Sequence, residues 1–370
     1  MNRKYFFVAG EDSGDSHASE LIKEILANEP EAEILAVGGD KMQLAGAKIV
    51  EHIRDLNVVG IFEVLLHYRK IKKIFNNTFS AICDFKPDKV VLVDYPGFNL
   101  RLAKSLRQAV DSEIIYFILP QAWAWKANRS ETIKNYTDKR LSIIPFEKNW
   151  FRQRGVDVEY IGHPFGYRFF NDKENIDGVR DGNKIVLMPG SRQVEVDRHL
   201  PIMINAAKIL SQKTGKEITL LKAPNVSVEN FPQDFNIETD PLKHKEIIAG
   251  ASLCLVASGT ATLEVALLGS PMLVCYKMNP LTWFFATKLS TVKYISLVNL
   301  FLGRGVVKEL LQKEMSTKSV VFHSEKLLQT NPSVFLKIQK DLMQTIQTNK
   351  NPFKIASEII IGNNKKCLKL

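Results

Sequence analysis

Residues 253–268 constrain this chain more than any other stretch. The apolar run Leu253-Cys254-Leu255-Val256-Ala257 stops at Ser258-Gly259-Thr260-Ala261-Thr262, and Leu263, Val265, Ala266, Leu267 and Leu268 follow in a helical pattern. This reads as a buried strand, a turn of small residues and a helix, as at the carboxyl edge of an open α/β sheet. Gly259 lets a ligand approach the backbone, and the first turn of the helix offers unpaired N–H groups at the positive end of its dipole. Ser258, Thr260 and Thr262 add hydroxyl donors, so the turn suits a phosphate or diphosphate. The same residues also fit an ordinary helix cap. Glu264 would repel a phosphate, which places it on a sugar diol, where a carboxylate accepts two hydrogen bonds.

A second stretch repeats the pattern. Ile185-Val186-Leu187-Met188 is followed by Pro189-Gly190-Ser191-Arg192 and a helix opening at Gln193. Arg192, after the Gly190-Ser191 turn, has a fork that can hold two diphosphate oxygens. Two such turns in one half of the chain favour a diphosphate site over two unrelated caps.

Strand and helix patterns alternate elsewhere too. Tyr5–Ala9, Ile34–Val37, Lys89–Asp94 and Glu113–Ile118 are strand-like in the first half, and Lys216–Leu221 and Met272–Tyr276 complete the second. The expected fold is α/β, with two facing Rossmann-like, doubly wound parallel-sheet domains and a cleft at their carboxyl edges. A length of 370 residues fits two domains, drawn here at 1–165 (completed by 350–370) and 166–349. Residues 294–304 read as a loop before a helix at Val306–Gln312. The apolar segment from Pro352 reads as a helix returning to the first domain or exchanged between subunits. Neither GxGxxG nor GxxxxGK[ST] occurs, so an ordinary dinucleotide fingerprint or P-loop is not supported.

In the first half the chemistry gathers at strand tips. Glu11 and Asp94 are candidate general bases, whereas Asp15 suits a helix cap and His17 a surface position. Trp123 and Trp125 line an apolar groove or wedge two domains together. Residues 58–75 set Val64, Leu65 and Leu66 beside Arg69, Lys70, Lys72 and Lys73. That pattern fits a basic amphipathic helix on an anionic bilayer, and equally a helix packed on the sheet. Lys plus Arg number 50 against 40 Asp plus Glu, a net charge of +10. The excess fits anionic partners, and its even spread without a basic arm argues against a dedicated nucleic-acid binder. Cys83, Cys254, Cys275 and Cys367 form no CxxC pair and read as free thiols, with no metal-ligand spacing among Cys and His. With no signal peptide and no run of 18 apolar residues, the expectation is a cytoplasmic protein, at most peripheral to a membrane.

An ordered set of motifs resembles a known family. It comprises Gly10–Asp15 (GEDSGD), Gly38-Gly39, Val93–Asn99 (VDYPGFN), Gln121–Trp125 (QAWAW), Pro145–Lys148 (PFEK) and Ile161–Pro164 (IGHP). Leu187–Val196 (LMPGSRQVEV), Ala257–Glu264 (ASGTATLE), Tyr276–Leu289 and Val298–Gln312 complete it. Over nearly the whole chain this looks like the lipid-A-disaccharide synthase family. The resemblance implies an inverting, metal-independent GT-B glycosyltransferase without a cofactor. It would transfer 2,3-diacylglucosamine from UDP-2,3-diacylglucosamine to the 6-hydroxyl of 2,3-diacylglucosamine 1-phosphate. The products would be UDP and a β-1,6-linked disaccharide 1-phosphate, made at the inner face of the cytoplasmic membrane, with a homodimer formed by C-terminal exchange.

By motif, Gly190, Ser191, Arg192, Ser258, Gly259, Thr260, Ala261, Thr262 and Glu264 would hold the UDP-sugar. Tyr276, Lys277 and Met278 would lie near the uracil, with Asn299 and Arg304 on a donor-side loop. Asp94, Glu11, Arg192 and Asn299 are the catalytic candidates, with Asn99 facing the donor. Two positions depart from the family pattern: Gly97 stands where it has a second acid in Asp-x-Pro-Asp-Phe-Asn, and Asp12 where it has Ala. Without that acid, Asp94 and Glu11 are the remaining bases. The competing readings are another GT-B enzyme on a UDP-amino sugar (a 2-epimerase or peptidoglycan-type transferase) and a basic, non-catalytic lipid- or nucleic-acid-binding module.

Overall fold

A computed structural model of the chain describes residues 2–56, 68–171, 182–224, 226–229, 231–289, 292–346 and 348–362. The chain divides into two compact units, Met1–Tyr167 with Thr348–Leu370, and Arg168–Gln347.

The first unit is built on a parallel sheet of β1 (Lys4–Ala9), β2 (Glu33–Gly38), β3 (Lys48–His52), β4 (Lys89–Val93), β5 (Glu113–Phe117), β6 (Lys139–Ser142) and β7 (Glu159–Tyr160). Its order is β3-β2-β1-β4-β5-β6-β7. Successive side chains of a strand point to opposite faces, and in β1 both faces are covered. Tyr5, Phe7 and Ala9 join one core with helix Asp12–Asn28, while Phe6 and Val8 join another with helices Tyr68–Phe85 and Pro96–Leu106. All five are fully buried, which explains an unbroken apolar run.

Helix Tyr68–Phe85 buries Ile74 and Ile82 and exposes Arg69, Lys70, Lys72 and Lys73. The proposed docking residues Val64, Leu65 and Leu66 lie outside the described residues. Among the described residues, no helix is long and apolar enough to cross a membrane.

The C-terminal helix Pro352–Ile361 belongs to the first unit. Phe353, Ala356, Ile360 and Ile361 enter its core beside helix Asp12–Asn28. Its last carbonyls, orphaned by helix geometry, accept hydrogen bonds from cations: Arg3 Nη1 donates to Ile361 O and Lys139 Nζ to Ile359 O, each at 2.8 Å.

The second unit carries β8 (Lys184–Met188), β9 (Glu217–Leu221), β10 (Asn236–Glu238), β11 (Ala251–Ala257), β12 (Met272–Tyr276) and β13 (Glu309–Leu311). This parallel sheet runs β10-β9-β8-β11-β12-β13. Two expectations fail here. Residues 306–312 are not a helix, because Glu309–Leu311 adds an edge strand to β12, pairing Leu310 with Cys275 and burying Leu310 completely. Residues 294–304 are not all loop either. Leu297–Leu302 is a helix capped by Ser296 and ended by Gly303 at φ +64°.

Candidate functional site

Each sheet reverses its strand order once near the centre, between β1 and β4 and between β8 and β11. In open parallel sheets, ligands bind outside the carboxyl ends of the strands at such a switch point. The motif loops at 10–11, 94–99, 189–192 and 258–262 leave these four strands.

In the second unit, Gly190 has φ +128°, and a Cβ there would stand 2.6 Å from a Glu195 carboxylate oxygen. Only glycine fits, so the backbone turns tightly into helix Gln193–Thr214. Ser191 and Arg192 are exposed at its entrance, and Arg192 lies 3.6 Å from Glu195 in a loose, solvent-facing pair. Gly259 has φ +155°, with no atom within 4 Å of a Cβ built there.

The hydroxyl inventory expected of the second turn is corrected by the structure. Thr262 is buried and donates through both N–H and Oγ1 to Gly259 O, at 3.1 and 2.8 Å. Ser258 Oγ donates to Ile295 O at 2.9 Å. These two side chains hold the turn, leaving exposed Thr260 as the outward hydroxyl. The amides at Thr260 and Ala261 open the helix, where N–H groups lack the i−4 carbonyl that a helix interior supplies. Glu264 is partly buried, burial pushes its carboxyl pKa up, and no hydrogen bond engages that carboxyl among the described residues.

His199 escaped the sequence reading. It is fully buried, with Nδ1 2.7 Å from Pro189 O and Nε2 3.0 Å from Lys277 N. A carbonyl only accepts, so Nδ1 donates to Pro189 O, while Nε2 lies 3.0 Å from both the amide nitrogen and the carbonyl oxygen of Lys277. One ring thus ties the 189–192 turn to the segment after β12, where Tyr276 is half-buried, Lys277 exposed and Met278 partly exposed. The available signal was a lone polar residue on the apolar stripe Val196, Leu200, Met203. An open cleft of ≈ 1010 Å³ begins beside Lys277 and is bordered by Trp283, Tyr294 and Gln312.

Asn299 is not a reacting group. It is buried, Nδ2 donates to Val307 O and Glu309 Oε1 at 2.9 and 2.8 Å, and Oδ1 accepts from Val306 N and Val307 N at 2.8 and 3.0 Å. With all four bonds made, its amide shapes the 296–309 loop. Arg304 is exposed and ion-paired with Asp341.

In the first unit, Asp94 and Tyr95 both sit at left-handed φ, +45° and +47°. Such non-glycine residues cost of order 1–3 kcal/mol each and persist where their surroundings over-determine them. Asp94 N donates to Phe117 O at 3.1 Å, and Asp94 O accepts from Tyr116 Oη and Asn99 Nδ2, both at 2.8 Å. Asn99 therefore does not face a donor: it is fully buried, and Nδ2 also reaches Val93 O and Val8 O. Gly10 is required because a Cβ there would meet the Tyr95 ring at 2.2 Å.

This scaffold presents the Asp94 carboxyl beside Glu11. Burial and then Glu11 push Asp94 up to about 6, against the opposing pull of the Tyr95 backbone hydrogen bond and the Arg129 charge. Gly97 is exposed, and a Cβ there would meet nothing within 4 Å. Asp15 is buried and accepts from Gly39 N at 2.7 Å and from Lys41 N and Met42 N at 3.2 Å, a structural cap as expected. Trp123 is buried, and Nε1 donates to Glu147 at 2.7 Å. Burial pushes the Glu147 carboxyl up to about 8, while its bonds from Ser142 and Trp123 pull the other way. Cys254 and Cys275 are buried free thiols, Cys83 is partly buried, and Cys367 lies outside the described residues.

A family model for lipid-A-disaccharide synthetase matches residues 5–361. The chain belongs to that family. The Myxococcus xanthus lipid-A-disaccharide synthase is 35% identical over 325 residues, 85% of each chain. The fold is GT-B: the kitacinnamycin glycotransferase superposes with a TM-score of 0.62 at 13% identity, covering 98% of this chain and 99% of its own. S. aureus MnaA, in a structure with UDP, gives 0.61 at 14% identity, covering 98% and 96%. Family membership favours the lipid A reading over a 2-epimerase, a peptidoglycan-type transferase or a non-catalytic module.

Proposed function

We propose that the chain catalyses the lipid-A-disaccharide synthase reaction, moving 2,3-diacylglucosamine from UDP-2,3-diacylglucosamine to 2,3-diacylglucosamine 1-phosphate. The observation that carries this reading is a family match over residues 5–361 in a chain with motif loops at both sheet switch points.

The diphosphate takes the second-unit switch point, with Arg192 and the amides at Thr260 and Ala261 as its donors. UDP in the S. aureus MnaA structure supports a nucleotide of this kind on this fold. Glu264, its carboxyl partly buried and without a hydrogen bond among the described residues, accepts from a sugar diol. The segment 276–278 borders the uracil, placed there through His199. The leaving diphosphate gains charge as the glycosidic bond breaks, so these donors stabilise the transition state more than the ground state. Asp94 removes the proton of the acceptor's 6-hydroxyl as that oxygen attacks the anomeric carbon from the face opposite UDP. Its raised pKa suits a base near neutrality, and Glu11 contributes to that raise.

Acyl chains travel poorly through water, so the reaction belongs at a lipid surface, the inner face of the cytoplasmic membrane. Val64, Leu65 and Leu66, with Arg69 and Lys70, form the docking segment. A homodimer would exchange the C-terminal helix that here packs on its own first unit.

The test is incubation with both lipid substrates in the presence of EDTA, following UDP and disaccharide 1-phosphate by mass spectrometry. Both products are expected. Binding without UDP release, or epimerised UDP-sugar without a disaccharide, overturns the assignment.

A further inference from the structure

The acceptor carries a phosphate on C1 and attacks through the hydroxyl on C6, and these two substituents flank the same ring oxygen. A base on the hydroxyl and a cation on the phosphate therefore lie within about one sugar ring of each other.

One cation of the first unit lies on the same carboxyl edge of the sheet as Asp94, because β4 and β5 are parallel neighbours. Arg129 opens helix Arg129–Tyr136, which follows the loop leaving β5. Its charge is felt by Asp94, at the tip of β4, and by Tyr116 of β5. Yet, among the described residues, its guanidinium makes no ion pair and no hydrogen bond. The other partly buried arginines described in this unit are all engaged: Arg3 by Glu29 and Ile361 O, Arg107 by Asp138, and Arg140 by Thr137 and neighbouring carbonyls. Burial pulls the Arg129 pKa down. A partly desolvated cation without a contacting partner carries an unmet cost that a bound anion removes. Its planar fork matches two phosphate oxygens.

We propose that Arg129 binds the anomeric phosphate of the acceptor and thereby sets the 6-hydroxyl against Asp94. This deepens the proposed function and rests on it. The phosphate sits on the guanidinium rather than against Asp94 and Glu11, whose negative charges repel it.

The test is a cycle between residue and substrate. Wild type, Arg129→Ala, Arg129→Gln and Arg129→Lys are assayed with 2,3-diacylglucosamine 1-phosphate and with a neutral acceptor bearing a methyl group in place of the phosphate. Arg129→Ala and Arg129→Gln should raise KM for the phosphorylated acceptor by on the order of tenfold to a hundredfold. The donor KM should stay as it is. With the neutral acceptor the variants should match wild type, and Arg129→Lys should recover part of the loss.

An equal loss with both acceptors, together with a shifted acid limb of the pH profile, would overturn the proposal and leave Arg129 a modulator of Asp94. The groups setting that limb are Asp94, Glu11, Tyr116, Glu147 and Arg129. Should Arg129→Ala fail to fold, Arg129→Lys and Arg129→Gln carry the same comparison. Absence of disaccharide from wild type would refute the proposed function instead, so the two failures are distinguishable.

Discussion

Replacing Asp94 with asparagine should abolish turnover and make the protein more stable at neutral pH. The folded-state pKa, about 6, stands above the ordinary 3.8. The folded state therefore holds its proton as pH rises past the point where the unfolded chain releases it. Ionising Asp94 then costs stability, and the cost grows through that window to a plateau above pH 6. A shift of about 2 units at 1.36 kcal/mol each gives about 3 kcal/mol. Because the residue keeps some exposure, we take about 2–3 kcal/mol.

Asparagine accepts a left-handed backbone as readily as aspartate does, so Asp94→Asn removes the charge and little else. Urea denaturation followed by intrinsic fluorescence should show the variant more stable by that amount at pH 8 and by about half of it at pH 5. In parallel, wild-type kcat/KM should fall with unit slope as pH drops through about 6, since protonated Asp94 cannot accept a proton. Glu11→Gln should move that limb to lower pH by removing a repelling charge. A variant less stable than wild type at pH 8, or a stability difference independent of pH, would refute the electrostatic account. Normal turnover in Asp94→Asn would remove it as the base.

Arg192→Ala should leave the fold intact and lower kcat by roughly 10- to 150-fold, the worth of one charged hydrogen bond at about 1.5–3 kcal/mol, in steady-state UDP release; an unchanged kcat takes Arg192 out of the mechanism. Changing Val64, Leu65 and Leu66 together to Ser should cut co-sedimentation with anionic vesicles while leaving thermal unfolding unaltered, and undiminished sedimentation would dismiss the docking segment. Gly97→Asp should be well tolerated, since the position is open and an acid in the first turn of helix Pro96–Leu106 gains about 0.3–1 kcal/mol. Its kcat at pH 8 should stay within a few-fold of wild type, and a gain of tenfold or more would move the base from Asp94 to position 97.

What could be read from the chain followed from burial on both faces. Strands β1, β4, β5, β8, β11 and β12 carry near-continuous apolar runs because helices cover both sides, so their tips, and with them Glu11, Asp94, Arg192 and Gly259, stood out. The edge strands β3 (KIVEH), β10 (NIE) and β13 (ELL) are short and half polar, and their pairing is decided by a neighbour distant in sequence. That is why Val306–Gln312 read as a helix. Side-chain roles were legible only where residue type leaves one option. Asp15 suited a helix cap and serves as one, for the helix that follows Gly39, whereas Thr262, Ser258, Asn99 and Asn299 carry the same donors whether they grip a ligand or a loop. Their partners (Gly259 O, Ile295 O, Asp94 O, and the 306–307 backbone with the Glu309 carboxylate) are set only once the chain has folded. Four of the polar residues nearest the motif centres therefore hold the loops, which leaves the charged groups and the amides of Thr260 and Ala261 as the candidates for ligand chemistry. The left-handed pair Asp94–Tyr95 sharpens the point. No propensity forecasts two such residues in a row, yet Asn99 and Tyr116 hold the Asp94 carbonyl, and with it a carboxylate whose raised pKa suits a base's task.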